Sequence, residues 1–133
     1  DAFTKFKNRV MLSKLKLYTL LYPIKKRGQK IYGISAPARS TTFISYTGLD
    51  EEILDCVIEV AGSQKIGKYI PGTKIPVFDE SKLISRQPEY ALLLSWHIAY
   101  ELMPKLKQKG FKGDFIVPLP QPHIVKNKQV KIS

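Results

Sequence analysis

Apolar residues recur at three- and four-residue steps through the first part of the chain. Phe3, Phe6, Val10, Leu17, Leu20 and Leu21 carry the pattern, with lysines set between them. That spacing predicts one long amphipathic helix from residue 2 to about residue 26. Pro23 is expected to end or kink it, and Gly28 to close the segment. The pattern then changes period. KIYGIS reads as a short strand, and ARSTTFISYTG as a helix that stops at Gly48. ILDCVIEV is a continuous apolar run rich in β-branched residues, as expected of a strand covered on both faces. The stretch AGSQKIGKYIPGTKIPVFD has no helical period and is punctuated by Gly62, Gly67, Pro71, Gly72 and Pro76. It is too long for a simple connection, and such loops are usually functional or disordered.

Beyond it, ESKLISRQ predicts a short helix capped by Asp79, YALLLSW a third buried strand, and IAYELMPKLKQKG a helix that ends at Gly110. GDFIVPLP is a fourth strand, stopped by Pro118 and Pro120. The segment from Gln121 onward shows no core pattern, and there are no internal repeats. The expected organisation is a single Rossmann-like α/β domain: a leading helix over 1–27, an α/β core over 28–120 and a tail over 121–133. Strands alternating with helices imply βαβ units and a three-layer fold around a small, mainly parallel sheet. With right-handed crossovers, the second strand lies outside the first, and the order then reverses to the third and fourth. Ligands of such sheets bind beyond the carboxyl ends of the strands at that reversal. The loops SAPARST and SWH follow the two strands involved and are expected to face one cleft.

Composition narrows the class. At 133 residues the chain suits one domain, and its 44% hydrophobic and 25% charged residues are globular values. No apolar run reaches membrane-spanning length, and the start carries no signal-peptide pattern. Cys56, the one cysteine, allows no internal disulfide and no Cys-based zinc cluster, which fits a reducing cytoplasm. It falls in an apolar run and reads as a plain buried thiol. The net charge of +11 attracts anions. No aromatic-basic recognition motif accompanies that charge, so nucleic acid is not the expected partner. Many of the lysines lie near the two ends, where a solvated helix face and a loose tail would account for them equally well. The chain begins at Asp1 without methionine and is expected to belong to a longer protein.

Candidate chemistry lies in the two loops. A helix N-terminus presents free N–H groups and a partial positive charge to a phosphate. Ala36 and Ala38 let a ligand approach the backbone, Ser35, Ser40, Thr41 and Thr42 add hydroxyls, and Arg39 adds a guanidinium fork. Ser and Thr at a helix start also serve as ordinary caps. An NAD site is the poorer fit: Glu59 could supply the acid near the end of the second strand, but the glycine fingerprint is absent. In the second loop Trp96 could stack on a base or sugar and His97 could bind a phosphate or hydroxyl, or the pair could fill a core gap and begin a helix. With two histidines, one of them His123 in the tail, no metal site is expected. Nothing resembles a nucleophile elbow or a P-loop.

Four segments in order, KIYGISAPARSTTFISYTGLD, KIGKYIPGTKIPV, ALLLSWHIAYEL and DFIVPLP, resemble the C-terminal domain of sugar C-methyltransferases from Lys30 to Pro120. The resemblance implies a Rossmann-like domain that helps to bind a nucleotide-linked deoxysugar. A small zinc-binding part and a central methyltransferase domain would precede it in the same polypeptide. S-Adenosylmethionine would be bound by that central domain, with no cofactor expected in this chain, which by itself would be inactive. Residue by residue, the implied substrate-binding positions are Gly33, Ser35, Ala36, Arg39, Ser40, Thr41, Lys65, Tyr69, Trp96 and His97. The loop from Lys65 to Thr73 would close over the ligand or pack on another domain. The general base would lie in the central domain, with His97 an outside candidate for that role. Ser35 and Ser40 stand where the family pattern has glycine, and Thr41 and His97 where it has asparagine. A stand-alone, non-catalytic nucleotide or sugar-nucleotide binding module is the alternative, distinguished by binding ligand without any methyltransferase domain.

Overall fold

The computed structural model describes residues 1–35, 40–59 and 66–132, with the side chains of Phe6, Val10, Ser40, Thr41 and Thr42 outside that description. Helix α1 spans Ala2–Lys26 and starts on Asp1, whose carboxylate accepts the Thr4 N–H at 2.8 Å. Pro23 lies inside the helix rather than ending it, and Gly28, at φ +77°, takes the left-handed conformation just beyond. Leu17, Leu21 and Ile24, at i, i+4 and i+7, are buried in the core. Among the described stripe residues, Leu17 and Leu21 are buried and Phe3 is exposed.

Six strands form one sheet in the order β3-β2-β1-β4-β5-β6. They are β1 (Ile31–Ser35), β2 (Cys56–Glu59), β3 (Val77–Asp79), β4 (Tyr90–Leu93), β5 (Asp114–Val117) and β6 (His123–Val125). The first five run parallel, and β6 pairs antiparallel with β5. The expected reversal is present: β2 lies on one side of β1 and β4 on the other. The two strands that the hydrophobic pattern missed are the two edges. β3 is a three-residue strand behind Pro76, and β6 contributes only His123, Ile124 and Val125. Neither carries an apolar run long enough to stand out.

Alternation along the strands builds two cores. On one face Ile31, Val57, Leu92, Leu94 and Ile116 pack with α1 and with α2 (Ser40–Thr47). On the other, Ile34, Ile58, Leu93 and Phe115 pack with α3 (Glu80–Arg86) and α4 (Ala99–Gln108). Three layers result, and Asp79 caps α3 as expected, accepting the Ser81 N–H at 2.8 Å. No helix among the described residues is long and apolar enough to cross a membrane.

The described part of the irregular segment before β3, from residue 66 onward, is a hairpin. Gly72, at φ +80°, follows Pro71 in its turn, where Thr73 N–H donates to the Ile70 carbonyl at 3.0 Å. Ile70 N–H donates to the Ile75 carbonyl at 2.9 Å, and both isoleucines are buried in the core. The expected loose tail is likewise part of the fold. The Asn127 amide nitrogen donates to the carbonyls of Phe111 (3.0 Å) and Gly113 (2.8 Å). Its backbone N–H donates to Asp114 at 2.8 Å. Lys107 holds the carbonyls of Asn127 (2.8 Å) and Val130 (2.7 Å), and Val130 is buried in the second core. Asn127→Ala, which strips two backbone carbonyls of their donor, is expected to lower the unfolding free energy by about 1–3 kcal/mol in a urea titration.

Candidate functional site at the carboxyl edge of the sheet

The strands end abreast. Ser35 pairs with Glu59, and Glu59 pairs with Asp79, so these residues stand side by side on the last rung of β1, β2 and β3. Across the reversal, the Leu94 N–H donates to the Ile34 carbonyl at 2.9 Å, which carries the β1–β4 pairing up to the residue before Ser95. Ser35 (0% exposed), Glu59 (4%) and Ser95 (3%) are buried, and among the described residues the only other buried polar side chain is Thr47. Thr47 is explained locally, since its hydroxyl donates to the Phe43 carbonyl at 2.8 Å. Burying polar groups is costly unless they are paired, and none of the three edge residues is without a partner. Their concentration at one edge marks that edge as polar inside an apolar sheet.

Ser95 leads into a single 3₁₀ turn, Trp96–Ile98, that precedes α4. Trp96 is 39% exposed and His97 is exposed, so neither fills a core gap. Their rings meet edge to face with centroids 5.9 Å apart. On the far side, β6 returns His123 opposite Val117, the last residue of β5, and so to the same edge. His123 Nδ1 lies 2.7 Å from the Gln121 carbonyl, which can only accept, so Nδ1 carries the proton. Nε2 is then the acceptor for the Tyr100 hydroxyl, 3.4 Å away. Asp79 is committed to its helix cap. Hydrogen bonds from the Ser81 hydroxyl, then from its N–H, hold the carboxyl below the usual aspartate range. Among the described residues no group of His, Cys, Asp and Glu could hold a metal ion.

A family model described as the C-methyltransferase C-terminal domain matches residues 1–120. The C-methyltransferase NovU of Streptomyces niveus is 32% identical over 100 residues, which cover 74% of this chain and 23% of that relative. The chain belongs to the C-methyltransferase C-terminal domain family. It spans less than a quarter of the length of the curated relative that it matches.

Of the family positions predicted from sequence, Ser35, Trp96 and His97 are brought together at the carboxyl edge. Ser40 begins α2, with Thr41 next, on the helix that follows β1. Ala36, Arg39 and Lys65 lie outside the described residues. Gly33 is placed inside β1, two residues before the edge, rather than in a ligand loop. A Cβ there would meet Leu94 Cδ1 at 2.8 Å and Val57 Cγ2 at 3.3 Å, so packing between strands accounts for this glycine. Tyr69 is exposed on the hairpin and bridges to Pro76, ahead of β3, toward the end of the sheet where the strands begin. Sequence reasoning missed His123, because the strand that carries it is too short to show a pattern. Glu59 had a legible signal: an acid that closes an apolar strand.

Cys56 opens β2 and is buried, and burial pushes its thiol up to about 12. The folded protein should therefore resist iodoacetamide at pH 8 and be labelled only in denaturant. Above pH 9, the ordinary thiol value, the unfolded chain loses this proton while the folded one keeps it until about 12, so this group's contribution to stability falls as pH rises across that window. Gly33→Ala should lower the unfolding free energy by about 1–3 kcal/mol. On a Leu94→Ala background it should cost less, because the crowding atom is gone.

Proposed function

We propose that this domain is the sugar-nucleotide-binding part of an S-adenosylmethionine-dependent C-methyltransferase acting at a carbon beside a ketone on an NDP-deoxysugar. The observation that carries the reading is the polar edge at the strand-order reversal: Ser35 and Glu59 buried on one rung, Ser95 buried just past β4, and Trp96 and His97 exposed beside them. Crevices of this kind receive ligands in parallel α/β sheets. Membership of a C-methyltransferase family supports the reaction class for the whole polypeptide.

Roles follow from chemistry. α2 starts just past β1, so its N-terminal N–H groups and the Arg39 guanidinium suit the diphosphate, with Ser40 and Thr41 as further donors. Trp96 offers an exposed ring to the base or sugar, and His97 a donor to a hydroxyl. Lys65, in the segment after β2, would contact the ligand's outer part, and Tyr69, at the other end of the sheet, would face a neighbouring domain.

The described residues do not fit the methyl donor. The loop after β1 has no glycine between Gly33 and Gly48, and Gly33 itself is enclosed in the sheet. S-Adenosylmethionine, which supplies the electrophilic methyl group, is accordingly assigned to a methyltransferase domain elsewhere in a longer, cytoplasmic polypeptide that also carries a zinc-binding part. Transfer beside a ketone needs a base for the α-proton and donors for the enolate oxygen. That base is assigned to the methyltransferase domain, and the present chain supplies grip and orientation.

The test is calorimetric titration of the full-length protein with a nucleoside diphosphate. Arg39→Ala should weaken binding by about 1.5–3 kcal/mol, the scale of charge-assisted hydrogen bonds. Lys128→Ala should shift it by no more than a few tenths of a kcal/mol, as weak exposed charges do. Equal small losses at both positions would sink the assignment and leave only a diffuse positive field.

A further inference from the structure

Every described side chain from Ala2 to Leu12 of α1 is exposed. Leu17 is the first α1 residue in the core, and residues 2–12 extend ~16 Å before it at 1.5 Å per residue. The stretch before Leu17 nevertheless carries large apolar side chains: Phe3 is 72% exposed, Met11 53%, Leu12 54% and Leu15 57%. Phe3, Lys7, Met11 and Leu15 stand four residues apart and form one row along the helix. An apolar row of this length in contact with water marks an interaction surface.

Charge says what covers it. α1 contains Lys5, Lys7, Arg9, Lys14, Lys16, Lys25 and Lys26 and no acidic residue. Lys5, Lys7 and Arg9 have no ion-pair partner among the described residues. Two copies of this helix would meet base against base, so self-association is disfavoured. Lys7 sits in the middle of the apolar row, which calls for a fixed carboxylate opposite it. An acyl layer offers apolar contact but no such group, so a lipid surface fits less well than protein. The matched relative extends far beyond the aligned region, so a longer polypeptide of this kind has protein surface to supply.

We infer that the Phe3-Lys7-Met11-Leu15 row is a docking surface for a groove with an apolar floor and an acidic rim, on the part of the full-length polypeptide outside this domain. The inference rests on the reading above that the chain is one part of a longer C-methyltransferase. It adds the contact that would hold the sugar-binding edge in a fixed position relative to the methyl-donor domain.

A benzophenone amino acid in place of Met11 of the full-length protein tests it. Irradiation should give an adduct within the same polypeptide, outside this domain and close to Asp or Glu, as mapped by mass spectrometry. Lys7→Glu, at an exposed position, should cut the adduct yield at least fivefold while circular dichroism stays unchanged. An adduct to a second copy would overturn the inference, as would a yield no higher than from the probe at exposed Lys112. Loss of the adduct on adding phosphatidylserine vesicles, or indifference to Lys7→Glu, would overturn it too. No step needs substrate. Intact nucleotide binding without the adduct therefore removes the docking surface alone, and the adduct without nucleotide binding removes the sugar-nucleotide role alone.

Discussion

The pairing of β1 with β4 across the middle of the sheet is the contact on which the rest depends. β1 is buried at all five positions and takes hydrogen-bonded neighbours on both sides. Gly33 lies at its centre, in register with Val57 and Leu92, and the Leu94 side chain occupies the space where a Cβ would stand. A strand so enclosed needs a helical layer on each face. The chain supplies these by winding α1 and α2 onto one face and α3 and α4 onto the other. The change of direction between those two windings falls between β1 and β4, the place where sheets of this kind receive ligands. The site therefore follows from the same packing constraint as the core.

The two edges of the sheet carry different chemistry. Where the strands begin, the chain invests in anchorage: buried Ile70 and Ile75 hold the hairpin to the core, and Asp55 joins α1 to β1 by accepting from Lys25 Nζ and the Ile31 N–H, each at 2.9 Å. Where they end, buried side chains become polar and exposed ones aromatic: Ser35, Glu59 and Ser95 inside, Trp96, His97 and Tyr100 outside, with His123 half-buried beside them. Hydrophobic burial holds the domain together at one edge, while the other keeps groups that can hydrogen-bond or stack on a ligand. Tyr69, carried by the anchoring hairpin, belongs with the first set by position.

The C-terminal segment shows how little apolar content an edge element needs. β6 pairs with β5 through three residues, and its hold comes mainly from Lys107 and Asn127 bonding to backbone carbonyls. Such bonds are specific without leaving a hydrophobic period in the sequence. Their basic residues also change the meaning of the +11 charge, since Lys107 is a structural donor here and Lys126 pairs with Asp114 at 3.4 Å.

What the sequence determined by itself was whatever local periodicity encodes. α1 from Ala2 to Lys26, the four central strands, α3 with its Asp79 cap and the reversal between β1 and β4 were legible, because apolar spacing and capping chemistry act within a few residues. The family was legible in the order of its motifs, and with it the loops beyond β1 and β4. The tertiary structure decided the rest. It placed His123 opposite Val117, gathered Glu59 beside Ser35, and enclosed Gly33 between Leu94 and Val57. It also left Phe3, Met11, Leu12 and Leu15 of α1 exposed, although apolar spacing runs through that stretch. Each of these outcomes depends on which distant segment arrives alongside. Periodicity specifies which face of an element is apolar, but the neighbour that covers it is set by strand register, crossover direction and the length of the sheet.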